Sequence, residues 1–205
     1  MTLLARACLD GYRGMVRLRD KVFSVSISGS FAEFGKHTVI QLPVRLVGER
    51  RIAFGSGIFV GSGSWLQTIG DGTDVAITIG DGTSIAGSCV ISAAESVRIG
   101  VRVSIARGTY IADHAHAYDR PEIAIADQGI ANIAPVVVGD GAWIGENAIV
   151  SPGATIGAGA IIGANSVVTG TIPPHSLAIG IPARVIRKFG PSAGEPASEE
   201  TRAAE

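Results

Sequence analysis

The chain has 205 residues, 28 of them glycine, with 46 % hydrophobic, 5 % aromatic and 17 % charged residues and a formal net charge of −1. That balance excludes a disordered polyelectrolyte and a helical bundle, and it offers a nucleic-acid polyanion nothing to bind. Two cysteines, Cys8 and Cys89, stand at no metal-like or framework-like spacing, which fits a reducing, cytoplasmic setting.

Residues 1–21 read as an N-terminal leader outside any repeat. Asp10 interrupts its apolar start where a signal peptide would continue, and no apolar run reaches the roughly 18 residues needed to cross a bilayer. The leader carries five Lys or Arg against two Asp, so peripheral attachment to an anionic membrane is permitted. A solvated segment is the plainer reading.

From about residue 22 a six-residue period takes over. Aliphatic or aromatic residues recur at Phe34, Ile40, Leu46, Ile52 and Ile58, then at Ile79, Ile85 and Ile91, then at Ile99, Ile105 and Ile111. A period of six matches neither the 3.6 of a helix nor the alternation of a long strand, so the units are very short strands joined by tight corners. Three such strands make one coil of a triangular prism, with the aliphatic residue pointing in and each strand stacked on its equivalent in the next coil. Gly, Asn and Asp crowd the corners, as in I-G-D-G at 79–82, where the backbone angles suit them. Ser88 stands in the corner segment A-G-S-C-V, and Cys89 takes an inward position, which makes it packing rather than a nucleophile.

The repeat breaks after I-A-D-H-A-H at 111–116, and residues 117–137 fit no hexad. The spacing predicts a loop that leaves the prism here, the kind of excursion on which function concentrates. Counting from Ile111 puts Ala115 in the inward small position and leaves His114 and His116 outside the core, open to a ligand. Histidine is the residue type for a base at neutral pH. Asp113 could orient the imidazole or simply cap a turn. Tyr110 and Tyr118 flank the pair and could pack against a sugar ring or under the loop.

Beyond the loop the period is unbroken at Val138, Ile144, Val150, Ile156, Ile162 and Val168. A small residue follows four positions after each of the first five: Ala142, Ala148, Ala154, Ala160 and Ser166. Trp143 follows a small position and so points outward. A short closing segment, I-P-P-H-S-L-A-I-G-I-P-A-R-V-I-R-K, ends the domain near residue 188, and 189–205 reads as a disordered tail. The tail's G-P-S-A-G has no strand before it, so it is not a nucleophile elbow.

These hexads, with the D-H-A-H site and the A-N-S-V-V-T rung at 164–169, resemble the hexapeptide-repeat acyltransferases, above all the sugar and polysaccharide O-acetyltransferases. The resemblance covers roughly residues 22–188. It implies an all-β, left-handed parallel β-helix, a homotrimer, and an active site between neighbouring subunits. It implies acetyl-CoA as acyl donor with no metal required, and a sugar hydroxyl as acceptor. His114 falls on the family's general base, with His116 second and Asp113 as its orienting group. Ala164 and Thr169 match positions that meet the pantetheine arm, Arg184 and Arg187 match basic residues near the nucleotide phosphates, and Trp143 matches a groove-lining Trp. Ser88 stands in the stretch where galactoside-type members carry an Asn, so the acceptor contacts do not transfer. Alternatives are a nucleotide-sugar N-acyltransferase, a metal enzyme like the carbonic anhydrases of this fold, and a non-catalytic β-helix scaffold.

Overall fold

The computed structural model describes residues 3–190. Strands of two to six residues stack into three sheets that form the sides of a left-handed parallel β-helix. One face runs from Glu33–Phe34 through Ile52–Phe54, Ile77–Ile79, Val97–Ile99, Val136–Val138 and Thr155–Ile156 to Thr171–Ile172. The second runs from Val39–Ile40 to Ser176–Gly180. The third runs from Arg45–Val47 through Trp65–Thr68, Val90–Ala93, Tyr110–Ala112 and Ile149–Val150 to Val167–Val168.

The inward residues stack in register. On the third face Leu46, Leu66, Ile91, Ile111, Val150 and Val168 form one continuous column. On the first face Phe34, Phe54, Ile79, Ile99, Val138, Ile156 and Ile172 form another. Backbone hydrogen bonds run from coil to coil along the faces around the aliphatic core. Close approach at the corners is why they need glycine. A Cβ on Gly145 would lie 2.6 Å from the backbone nitrogen of Ala164 and 2.7 Å from the carbonyl oxygen of Ile162.

Three sequence expectations change here. Helix α1 spans Leu3–Ile27, across the expected boundary at residue 22, and the first strand of the prism is Glu33–Phe34. The helix closes the first coil. Its Ser24 hydroxyl sits 2.8 Å from the Ile40 amide and the Asp20 carboxylate accepts the Leu42 amide, so the exposed edge of the second face is covered. Phe23 and Ile27 pack down toward the core, where Phe31, Phe34 and Phe54 cluster with ring centroids 5.2–5.7 Å apart.

The second change is a slip in the repeat. Phe54 and Val60, not Ile52 and Ile58, take the column positions, because a 3-10 turn at Glu49–Arg51 adds two residues to the corner after Leu46. Ile52 and Ile58 are buried all the same. The third is at the loop. The chain leaves the prism at Asp113, and Ala115 does not point into the core; Ala115–His116 pairs antiparallel with Ile130–Ala131 to form the base of the excursion. At the far end Ala183–Lys188 folds back antiparallel on Ser176–Gly180 and covers the last coil. The expected tail lies outside the described residues apart from residues 189 and 190. Among the described residues no helix is long and apolar enough to cross a membrane.

Candidate active site

Asp113 ends the strand Tyr110–Ala112, and its side chain is fully buried under the corner of the preceding coil. That corner is two residues longer than a plain hexad, since Ile91 and Ile99 are eight apart, and the surplus turns three consecutive backbone N–H groups inward. Ala94 donates to Oδ1 at 2.8 Å, and Glu95 and Ser96 donate to Oδ2 at 2.7 Å each. Burial raises the pKa of this carboxyl, but the Ala94 amide, the His114 ring and the Glu95 and Ser96 amides together bring it below the usual carboxylate value. Asp113 is therefore an anion at neutral pH.

The Nδ1 atom of His114 lies 2.8 Å from Asp113 Oδ1. An ionised carboxylate can only accept, so Nδ1 carries the hydrogen and Nε2 of the neutral ring is left with its lone pair. Nε2 points toward Ser92 Oγ at a long 3.4 Å, and Gln67 Nε2 donates to that hydroxyl oxygen at 2.8 Å. The result is a line of polar groups, Asp113 to His114 to Ser92 to Gln67, crossing the outer surface of the third face. Adjacent residues usually point apart; here the chain's exit from the prism brings the side chains of Asp113 and His114 together. Asp113 both holds the corner and orients the ring.

A cleft of about 340 Å³ opens over this line, bounded by Trp65, Gln67, Ile69, Val90, Ser92, Tyr110, His114, Ala115, His116 and Ile130. Its volume falls at the small end of the usual range for small-molecule sites, about 300–1,000 Å³. His114 is 9 % exposed, whereas His116 is exposed on the hairpin rim. Tyr110 lines the wall and its hydroxyl pKa is raised by burial. Trp65 packs its ring under the Arg45 guanidinium at 4.0 Å, and its indole N–H is buried without a hydrogen-bond partner.

Other expected site residues fall elsewhere. Ser88 stands on a left-handed corner, φ 62°, outside this cleft, whereas Ser92, one residue past the column position, lines it. Tyr118 is exposed on the loop and does not line the cleft. Trp143 projects from the second face, 53 % exposed. Thr169 and Arg184 share a smaller cleft of about 230 Å³. Ala164 and Arg187 are exposed on the neighbouring corner and on the closing strand. Cys89 is buried with its thiol pKa raised by burial, as fits a packing residue. Among the described residues no group of three His, Cys, Asp or Glu side chains could hold a metal ion.

Gln67, Ser92 and Trp65 did not stand out in the sequence. Column arithmetic finds them: Gln67, Ser92 and Ala112 each follow an inward residue of the third face, and Trp65, Val90 and Tyr110 each precede one.

Comparison with known proteins settles the family. The chain is 34 % identical over 158 residues to a putative lipopolysaccharide biosynthesis O-acetyltransferase, WbbJ, of Escherichia coli, an alignment covering 74 % of this chain and 79 % of that protein. It belongs to the hexapeptide-repeat acyltransferases. The model of the bacterial transferase hexapeptide (six repeats) matches residues 135–170 of this hexapeptide-repeat chain. A probable acetyltransferase of Mycobacterium tuberculosis is 36 % identical over 98 residues, but the alignment spans only 48 % of this chain and 32 % of that longer protein. The crystal structure of a hexapeptide-repeat acetyltransferase from Vibrio cholerae, complexed with acetyl coenzyme A, superposes with a TM-score of 0.62 at 25 % identity over 87 % of this chain and 85 % of that one.

Proposed function

We propose that this hexapeptide-repeat protein is an acetyl-CoA-dependent O-acetyltransferase that acts on a sugar hydroxyl in the biosynthesis or modification of a bacterial polysaccharide. The observation that carries the reading is the His114 imidazole, locked through Nδ1 by a buried carboxylate and offering Nε2 to a cleft. A sugar hydroxyl is far too weak an acid to ionise near pH 7, so its attack on a thioester calls for a base at the reacting oxygen. Nε2 takes the hydroxyl proton as the oxygen bonds to the thioester carbonyl carbon, and passes it to the sulfur as the carbon–sulfur bond breaks. Asp113 holds the ring in the tautomer this needs and stabilises the imidazolium between the two transfers. No acyl-enzyme is required, and the one buried thiol, Cys89, takes no part.

Ser92 and Gln67 extend the line from Nε2 along the cleft floor, where they are suited to further hydroxyls of the acceptor. Trp65 and Tyr110 supply aromatic walls to the same cleft. A nucleotide-sugar amine would ask the same of the base, so the chemistry of the acceptor is an outcome of the assay.

Exposed groups elsewhere on the prism are suited to the donor. Trp143 is a large exposed aromatic. Arg184 and Arg187 have no carboxylate partner among the described residues and are free to meet phosphate oxygens. Thr169 and Ala164 present exposed corners of the A-N-S-V-V-T rung. Trp143 and His114 lie on different faces of one prism, which supports a homotrimer in which the donor runs between neighbouring chains.

The test is acetyl-CoA-dependent thiol release against a panel of sugars, nucleotide sugars and polysaccharide fragments. His114→Ala is expected to lower kcat about 10²- to 10⁴-fold with an unchanged far-UV spectrum, and His116→Ala to cost far less. Full turnover by His114→Ala would overturn the assignment.

A further inference from the structure

Helix α1 presents a second surface with chemistry of its own. Positions 4, 8, 11, 15, 18, 22 and 25 step alternately by four and three, which lines them up along one side of a helix. Leu4, Met15, Leu18, Val22 and Val25 on this line are 60–76 % exposed. The side that meets the prism is the opposite one, carrying the buried Asp20 and Ser24 with Phe23 and Ile27. The apolar line therefore has no partner among the described residues.

The charges beside it are cationic. Asp20 is buried and paired with Arg19 at 2.7 Å, and Asp10 is paired with Arg13. Lys21, which flanks the line, has no carboxylate partner among the described residues. An open groove of about 400 Å³ continues from the line at Val25, bounded by Lys21, Lys36 and His37 together with Phe34 and Val39.

A second copy of the helix is a poor occupant for this line. The flanking positions are Ala5, Tyr12, Arg19 and Ser26 on one side and Ala7, Gly14 and Lys21 on the other. Two such helices zipped together would have no acidic residue to set against Arg19 and Lys21, and Gly11 and Gly14 would leave the middle of the seam without side chains. An anionic bilayer surface answers both features at once, taking the aliphatic line into the acyl–headgroup boundary and pairing the free cations with lipid phosphates.

We propose that α1 docks this protein on anionic membrane surfaces, with Leu4, Met15, Leu18, Val22 and Val25 as the inserting line and Lys21 and Lys36 as the headgroup contacts. The inference does not rest on the acyltransferase reading. Docking of this kind is peripheral and reversible, and it would bring the cleft to a surface where an acceptor carried on a lipid could be met.

The test is co-sedimentation of the full-length protein with phosphatidylcholine vesicles containing about a third phosphatidylglycerol, against phosphatidylcholine alone. Binding is expected to the mixed vesicles, at least about tenfold weaker to neutral ones and weaker in high salt. The double substitution Met15→Glu and Leu18→Glu, at exposed sites that leave the fold intact by circular dichroism, should abolish it while thiol release with a soluble acceptor is unchanged. A fluorophore on Cys8, which is exposed where Cys89 is buried, should shift to the blue with the mixed vesicles only. Wild-type protein that fails to bind the mixed vesicles, or a double variant that binds as well as wild type, overturns the proposal. So does efficient Cys8–Cys8 crosslinking without vesicles, which would assign the line to a second copy.

Discussion

Asp113 Oδ1 accepts from both the Ala94 amide and the His114 ring, while Oδ2 accepts from Glu95 and Ser96. Asparagine is nearly the same shape but turns an NH₂ toward one pair of these donors, so Asp113→Asn leaves buried N–H groups unpaired at a cost of about 3 kcal/mol in urea unfolding. The pH dependence follows from the direction of the shift. The folded pKa lies below the ordinary value of 3.8, so the carboxylate's contribution is complete above that value and is lost as pH falls through the depressed one. The stability gap between wild type and Asp113→Asn should therefore be full at neutral pH and close only on the acid side of 3.8, which paired urea titrations would show. A gap that stayed constant to the lowest pH would mean that the charge contributes nothing. The same variant should lower kcat at least about tenfold, because the ring loses the partner that fixes its tautomer. The D-H pair was legible in the sequence as a candidate site, but its geometry was not. The amides that make Asp113 an anchor come from a corner seventeen to nineteen residues earlier, and no spacing rule around position 113 reports them.

At the scale of the coil, the columns divide the labour between large and small positions. On the third face Ile111 is fully buried between Ile91 and Val150, and Ala148 is fully buried at the corner that precedes Val150. Ile111→Ala should cost about 2–5 kcal/mol through the cavity it leaves. Ala148→Leu should cost about 1–3 kcal/mol in the opposite way, because the corner has no room for the added carbons. Chemical denaturation of both variants checks the pair, and a tolerated leucine at 148 would mean that the corner is looser than its stacking implies. The unbroken hexads from Val138 onward made this part of the fold readable, since large and small positions alternate there without insertion. Upstream the same logic slipped by two residues, because Ile52 and Ile58 are as apolar as Phe54 and Val60 and either phase looks sound. Only the left-handed Gly48, φ 72°, and the turn at Glu49–Arg51 mark the insertion. Arg51 then ties that turn to the rest, donating to the carbonyls of Ile69, Asp74 and Ala94, and so it braces the corner that holds Asp113. Helix α1 was missed for a different reason: its four-and-three spacing serves an outer surface, while the search for a core followed a period of six.

For the molecule as a whole, the arrangement of the faces sets a sharper test than the oligomeric state alone. The faces of a triangular prism diverge by about 120°, so a donor that touches Trp143 on the second face and reaches His114 at the third must either wrap an edge or lie between two chains. The trimer reading takes the second course, with each site combining His114 from one subunit and Trp143 from the next. Two variants, His114→Ala and Trp143→Glu, should then each be strongly impaired alone but complement each other when mixed. After equal amounts are unfolded and reassembled, a site works when its first chain kept His114 and its second kept Trp143, a joint chance of one half times one half. The mixture should recover about one quarter of wild-type turnover per site, with acetyl-CoA KM near the wild-type value in that fraction. If both residues instead served one site from a single chain, no mixed assembly could contain an intact site, and activity would stay at the mean of the two variants. The readout separates the models whatever the acceptor, since it depends only on which chain supplies each side chain.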